Sequence, residues 1–193
     1  MNPPRIRRRR AADLDGCVAA LADVHRVDSY PLNWPADPHR WLREPHPARA
    51  WVAVDAAGTI VGHVAVHRLP DPADEPHPEP AAEVARLFVA PAARGLALGS
   101  ALLARARRWA DARGVRLVLD VVADGAAAVA LYERTGWRCT GTSTASWAAP
   151  DGSPVSLRRY TVGSDAGPAS AARRRASRAA ASRSSTGSST STS

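Results

Sequence analysis

The apolar positions of this chain follow two rhythms, one of three to four residues and one of two. Leu14, Val18, Leu21 and Val24 recur at helical spacing and predict a helix over 13–25, with Asp13 placed to cap it. A turn-rich stretch at 30–38 leads into a short second helix at 37–43. Residues 6–10 predict a short strand, and 50–54 and 60–67 predict two more. The last two are joined by Asp55-Ala56-Ala57-Gly58, a hairpin signal. A strand at 83–90 lies between Pro80 and Pro91. Leu102, Ala106 and Trp109 mark one stripe of a helix over 99–113, stopped by Gly114. The near-continuous apolar run 115–122 predicts a strand covered on both faces. A helix over 126–135, ended by Gly136, precedes two closing strands at 137–147 and 155–162.

A strand–helix–strand unit from 83 to 122 requires a parallel pair with a right-handed crossover, whereas the 50–67 hairpin must be antiparallel. The expected fold is therefore α/β: a mixed, mostly antiparallel sheet with a central parallel pair and flanking helices. Residues 70–80 hold five prolines and four acids and predict a loop. Beyond Val162 no aliphatic residue is larger than alanine, so 163–193 cannot offset its ordering entropy and is expected to be a disordered tail. That leaves residues 1–162 as a single domain.

Composition narrows the picture. The chain has 193 residues, 45% of them hydrophobic, enough for one real core. No apolar run is long enough for a membrane span, and the charged start lacks the apolar stretch of a secretory signal. Cys17 and Cys139 cannot build a disulfide scaffold or a zinc cage, which points to reduced thiols and a cytoplasmic protein. No His, Cys, Asp or Glu set has metal-ligand spacing, so no metal is expected. The net charge of +8 comes from arginine alone, and it sits at the ends. Residues 1–10 carry five arginines and no acid, while 163–193 carry five arginines and one acid. The middle is nearly neutral, unlike the basic stripe of a specific nucleic-acid binder.

The chemistry concentrates at Leu87-Phe88-Val89-Ala90-Pro91-Ala92-Ala93-Arg94-Gly95-Leu96-Ala97-Leu98-Gly99-Ser100. A strand ends, a loop of small residues follows and a helix begins. Such a turn aims backbone N–H groups outward at the positive end of a helix, a ready phosphate site. Gly95 and Gly99 allow close approach, and Arg94 adds a positive charge. The spacing is neither a Walker loop nor a G-x-G-x-x-G dinucleotide pattern. Tight strand-to-helix packing alone also explains such glycines.

Arg94 to Gly99 resembles the acetyl-CoA pyrophosphate loop of the GNAT acetyltransferase superfamily, [Gln/Arg]-x-x-Gly-x-[Gly/Ala]. A second resemblance lies downstream: Ala128, Leu131, Tyr132, Gly136 and Trp137 match that family's Ala-x-x-Leu-Tyr-x-x-x-Gly-aromatic block. The element order agrees, and the resemblance covers roughly residues 5–162. Two positions depart from the pattern. The family's central loop glycine is Ala97 here, and the asparagine that often opens the second block is Gly125, with Asp124 before it as the expected helix cap.

The resemblance implies acetyl-CoA as cosubstrate, with no metal, and acetyl transfer to a primary amine of a small molecule or peptide by direct attack. Its alternative is a non-catalytic CoA-binding or sensor domain of the same fold. Carried onto this chain, cofactor contacts fall on Leu87, Phe88, Val89, Arg94, Gly95, Leu96, Ala97, Leu98, Gly99, Ser100, Gly125 and Ala128. The pantetheine arm pairs with the backbone near Leu87 and Val89. Tyr132 matches the acid that protonates the leaving thiolate, and Glu83 stands where several members carry their base. The acceptor side falls on Tyr30 and Trp34, with Asp71, Asp74, Glu75 and Glu79 placed to attract a cationic amine. His63 and His67 share one side of a strand and are expected on the exposed face of the hairpin. Cys139 is expected in the core. Monomer and homodimer both stay open.

Overall fold

A computed structural model describes residues 3–44, 47–70 and 80–162. The proline-rich residues 71–79, with their four acids, and the tail 163–193 lie outside the described residues. The elements in chain order are β1 (Arg5–Arg8), α1 (Leu14–Asp28), α2 (Pro38–Arg43), β2 (Arg49–Val54), β3 (Ile60–Arg68), β4 (Ala81–Val89), α3 (Leu98–Asp111), β5 (Arg116–Val122), α4 (Ala126–Arg134), β6 (Arg138–Ala148) and β7 (Pro154–Val162). They form one seven-stranded sheet in the order β1-β2-β3-β4-β5-β7-β6. Every neighbour pair is antiparallel except β4–β5. This is the mixed sheet with one parallel pair that the pattern predicts.

Two cores form because strand side chains alternate between faces. Val64 and Val66 of β3 and Ala82 and Val84 of β4 pack with α3 and α4 through Leu102, Leu103, Ala106 and Tyr132. Val61 and Phe88 pack with α1 and α2 through Leu21, Val24 and Leu42. The side-chain alternation of β4 breaks once. Ala85 pairs with Ala65 and Phe88 with His63, so Arg86 and Leu87 together oppose Val64 in a β-bulge. Arg86 takes φ +53° there. Among the described residues no helix is long and apolar enough to cross a membrane.

The start of α1 differs from expectation. Asp13 closes a 3₁₀ turn, Ala11–Asp13, and its carboxylate makes no cap bond to α1. It accepts two hydrogen bonds from the Arg7 guanidinium, at 2.6 and 2.8 Å, and one from the Arg10 N–H at 2.6 Å. An ion pair recruits the residue away from the helix end because a charge-assisted bidentate bond outweighs a neutral cap. The Arg7 hydrogen bond, aided by that of Arg10, holds the Asp13 carboxyl below its usual 3.8. A depressed carboxyl contributes stability that is fully present above its unfolded value and is lost as pH falls through the folded one. Asp13→Asn is therefore expected to cost about 1–3 kcal/mol at pH 7. The gap between the urea midpoints of the two proteins should begin to close below about pH 4 and vanish once pH has fallen through the folded value.

Candidate functional site

β4 and β5 pair only over Ala81–Glu83 against Arg116–Val118. Beyond that β5 follows β7 while β4 stays on β3, so the parallel strands part and leave a wedge. The Ala81 carbonyl and the Ala90 N–H mark the groups that bond toward β3. By alternation, Leu87 and Val89 turn their backbone groups into the wedge, while Phe88 faces β3. The Phe88 ring stacks on His63 with centroids 5.2 Å apart, and its backbone pairs with β3, so Phe88 offers the wedge no hydrogen-bonding group.

The loop after β4 opens onto the same place. The N–H groups of residues 95–100 donate to no acceptor among the described residues, and α3 has no side-chain cap. Successive free amides at the positive end of a 14-residue helix make a concentrated anion site. Leu98 itself is buried and Leu96 is exposed, so what both offer the site is the main chain. Gly95 has φ +80°, a value that favours glycine. Gly99 serves packing instead: a Cβ there would stand 3.0 Å from Cδ2 of Leu131, so the missing side chain lets α3 approach α4. Ser100 follows in the first turn of α3. Arg94 is engaged already, its guanidinium paired with the Asp28 carboxylate at the end of α1.

Ala97 is the N-cap of α3 at φ +55°, ψ 19°. A Cβ in the left-handed region costs about 1–2 kcal/mol, more than the entropy lost by placing glycine there. Ala97→Gly is thus expected to raise stability by about 0.5–1 kcal/mol in urea melts. It should leave CoA affinity equal or tighter.

The candidate titratable groups come from separate elements. Tyr132 on α4 is buried against Trp137 and Tyr160, with ring centroids 6.1 and 6.0 Å away. No hydrogen bond holds its hydroxyl among the described residues. Burial, and secondarily the neighbouring Tyr30, push the phenol pKa above its usual value. Burial likewise raises Tyr30 to about 12. Glu83 lies at the last β4–β5 pair, opposite Val118. Burial raises its pKa, and the Asp120 carboxylate raises it further. Asp120 is held by the Arg159 guanidinium at 2.7 and 2.9 Å across β5–β7. Gly125 opens α4, where a Cβ would sit 3.1 Å from the Val122 carbonyl, and Ala128 packs on the core beneath. Asp124 is not the cap, since Gly125 occupies that position without a side-chain bond.

The two expected acceptor residues have different partners. Tyr30 stands edge-on to Trp41, with centroids 6.4 Å apart. Trp34 is 40% exposed and packs on His25. Beside Trp34, Asn33 donates to the Ala148 carbonyl at 2.9 Å, which carries the α1–α2 connection across to β6.

His63 and His67 are buried, not exposed, at 0% and 3%. They do share a face, but α1 and α2 cover it. His63 Nδ1–H donates to the Arg86 carbonyl at 2.8 Å, and Nε2 accepts from Arg9 at 2.9 Å. Burial pushes its pKa down to about 3, so the imidazole is neutral. Cys139 is exposed rather than in the core, because β6 is an edge strand with solvent on both faces. Sequence reasoning also passed over Arg86, Asp120 and Arg159. The shift of apolar alternation from 82/84 to 87/89 marks the bulge that places Arg86, and a lone carboxylate inside 115–122 marks Asp120.

Residues 17–137 match the model of the acetyltransferase (GNAT) family. No curated protein matches the sequence. Among solved structures, a putative phosphinothricin N-acetyltransferase is 22% identical, with TM-score 0.66, over 82% of this chain and 97% of its own. The ribosomal-protein-alanine N-acetyltransferase from Brucella melitensis is 25% identical, with TM-score 0.64, over 81% and 98%. Arabidopsis thaliana NAA60 in complex with acetyl-CoA is 17% identical, with TM-score 0.65, over 82% and 97%.

Proposed function

Since the chain belongs to the acetyltransferase (GNAT) family, we propose that it moves an acetyl group from acetyl-CoA to a primary amine of a small molecule or peptide by direct attack, in the cytoplasm. The observation that carries this reading is the run of free amides at residues 95–100, opening beside a wedge between parallel strands. Those amides fit a diphosphate, and the backbone of Leu87 and Val89 fits an extended amide-bearing arm.

Acetyl-CoA supplies an activated thioester when bound. The residues do the rest. Glu83 takes a proton from the incoming ammonium, directly or through one water, which frees the nitrogen lone pair for the carbonyl carbon. The Val89 N–H meets the negative charge that develops on the carbonyl oxygen. As the C–S bond breaks, the Tyr132 hydroxyl donates its proton to the departing sulfur, and the second proton on the acylated nitrogen passes through water to restore the phenol, leaving neutral amide, free thiol and one proton that Glu83 releases to solvent. A raised phenol pKa keeps that proton in place throughout the neutral range. Holding both partners in one wedge converts an encounter into an oriented step. A covalent acyl-cysteine route is disfavoured, because the Cys17 thiol is buried and pushed up to about 12 and Cys139 lies on the far edge strand.

The test is free-thiol release from acetyl-CoA across a panel of small amines and N-terminal peptides. Turnover with any member supports the reading. Tight CoA binding with no turnover on the whole panel overturns it in favour of a non-catalytic CoA-binding domain.

A further inference from the structure

Among the described residues, an arginine beside the expected acceptor residues has no carboxylate partner. Arg86 projects from the β4 bulge, where an arginine at φ +53° costs on the order of 1 kcal/mol. Bulges re-aim side chains, and this one delivers the guanidinium over the face of Trp41, 4.8 Å from the ring centroid. One terminal nitrogen donates to His67 Nε2 at 2.9 Å and the other to the Glu44 carbonyl. Its Nε is buried with no hydrogen-bond partner among the described residues. Among the described residues no carboxylate lies within ion-pair distance of it, unlike Arg7 with Asp13 or Arg159 with Asp120. A second arginine, Arg9, stands behind His63 and among the described residues bonds the Leu42 carbonyl and that imidazole, both neutral. A half-buried cation without a counter-ion is costly, and the cost falls when an anion docks. Trp41 is also the edge-on partner of Tyr30, so the guanidinium borders the expected acceptor pocket.

We infer that Arg86, carried on the β4 bulge and laid on Trp41, binds a carboxylate on the acceptor amine and thereby selects acceptors that bear one. Each terminal nitrogen keeps one N–H beyond the bond it makes in the protein, so the guanidinium retains donors for a carboxylate. The inference rests on the acetyl-transfer reading and deepens it by naming the acceptor class. A free amino acid and a peptide with an acidic second residue both supply this chemistry.

The experiment compares matched acceptors on the wild-type chain. L-Alanine and L-phenylalanine are each set against their carboxamides, and Ala-Asp-Ala amide against Ala-Asn-Ala amide. The carboxylate member of one pair type should lead in kcat/KM by about 10- to 100-fold, the size of a charge-assisted hydrogen bond. The pair type that shows the preference identifies the source. Arg86→Gln should bring that ratio close to one, and Arg86→Lys should restore part of it. Calorimetry of N-acetyl-L-alanine and N-acetyl-L-phenylalanine against their amides, and of acetyl-Ala-Asp-Ala amide against acetyl-Ala-Asn-Ala amide, all with CoA present, gives the same comparison without turnover or a variant. Equal binding within every pair, or turnover of neutral amines with no preference, overturns the Arg86 assignment and leaves acetyl transfer standing. Absence of all turnover, with the carboxylate preference intact in calorimetry, overturns the transfer reading alone.

Discussion

Replacing Tyr132 by phenylalanine should lower kcat about 100-fold, the low end of what a positioned acid contributes, while CoA affinity changes by less than about twofold. The split follows from where the residue sits. Its ring is held by Trp137 and Tyr160, and phenylalanine keeps that packing. The hydroxyl has no protein partner to lose among the described residues, so its removal touches chemistry rather than folding. Because burial raises the phenol pKa, wild-type activity should show no basic limb from Tyr132 near neutrality. Steady-state kinetics with CoA calorimetry on both proteins decides the matter. A collapse of CoA binding in the variant would make the tyrosine structural.

The second large effect is expected at Glu83. Glu83→Gln should cut kcat/KM at neutral pH by about 100-fold or more, with the deficit narrowing as rising pH supplies free amine from solution. The wild-type acidic limb has a definite direction of response to a neighbour. The Asp120 carboxylate disfavours a second negative charge and so raises the Glu83 pKa, after burial. Asp120→Asn removes that charge and releases Arg159, and both changes favour ionised Glu83. The acidic limb should therefore move to lower pH in that variant. A limb that stays in place would mean that another group takes the proton.

The sequence carried the elements and the site's frame further than it carried the long-range arrangement. Helices α1 and α3 follow from Leu21, Val24, Leu102 and Trp109, because a buried stripe is a local property. The parallel β4–β5 pair follows from chain geometry, since a helix separates the two strands. The insertion of β7 between β5 and β6 does not, as no local signal distinguishes one antiparallel neighbour from another. The parity of His63 and His67 was legible, but their burial depended on α1 and α2 packing over that face. Asp13 looked like a cap because Asp-Leu opens many helices. The competing arginine sits six residues earlier, beyond what a capping pattern weighs. Cys139 lies on the surface although a cysteine within a strand is expected in the core, because strand composition does not say whether a strand is central or at an edge.

Diphosphate binding at this site rests on the main-chain amides at residues 95–100. Titrating CoA into isotopically labelled protein and following backbone amide chemical shifts examines them one by one. The largest downfield changes should fall on Gly95, Leu96, Ala97, Leu98, Gly99 and Ser100, with smaller ones at Leu87 and Val89. If millimolar CoA leaves those amides unmoved, or moves only residues elsewhere in a folded sample, the diphosphate does not bind at α3 and the assignment of this wedge as the transfer site is wrong.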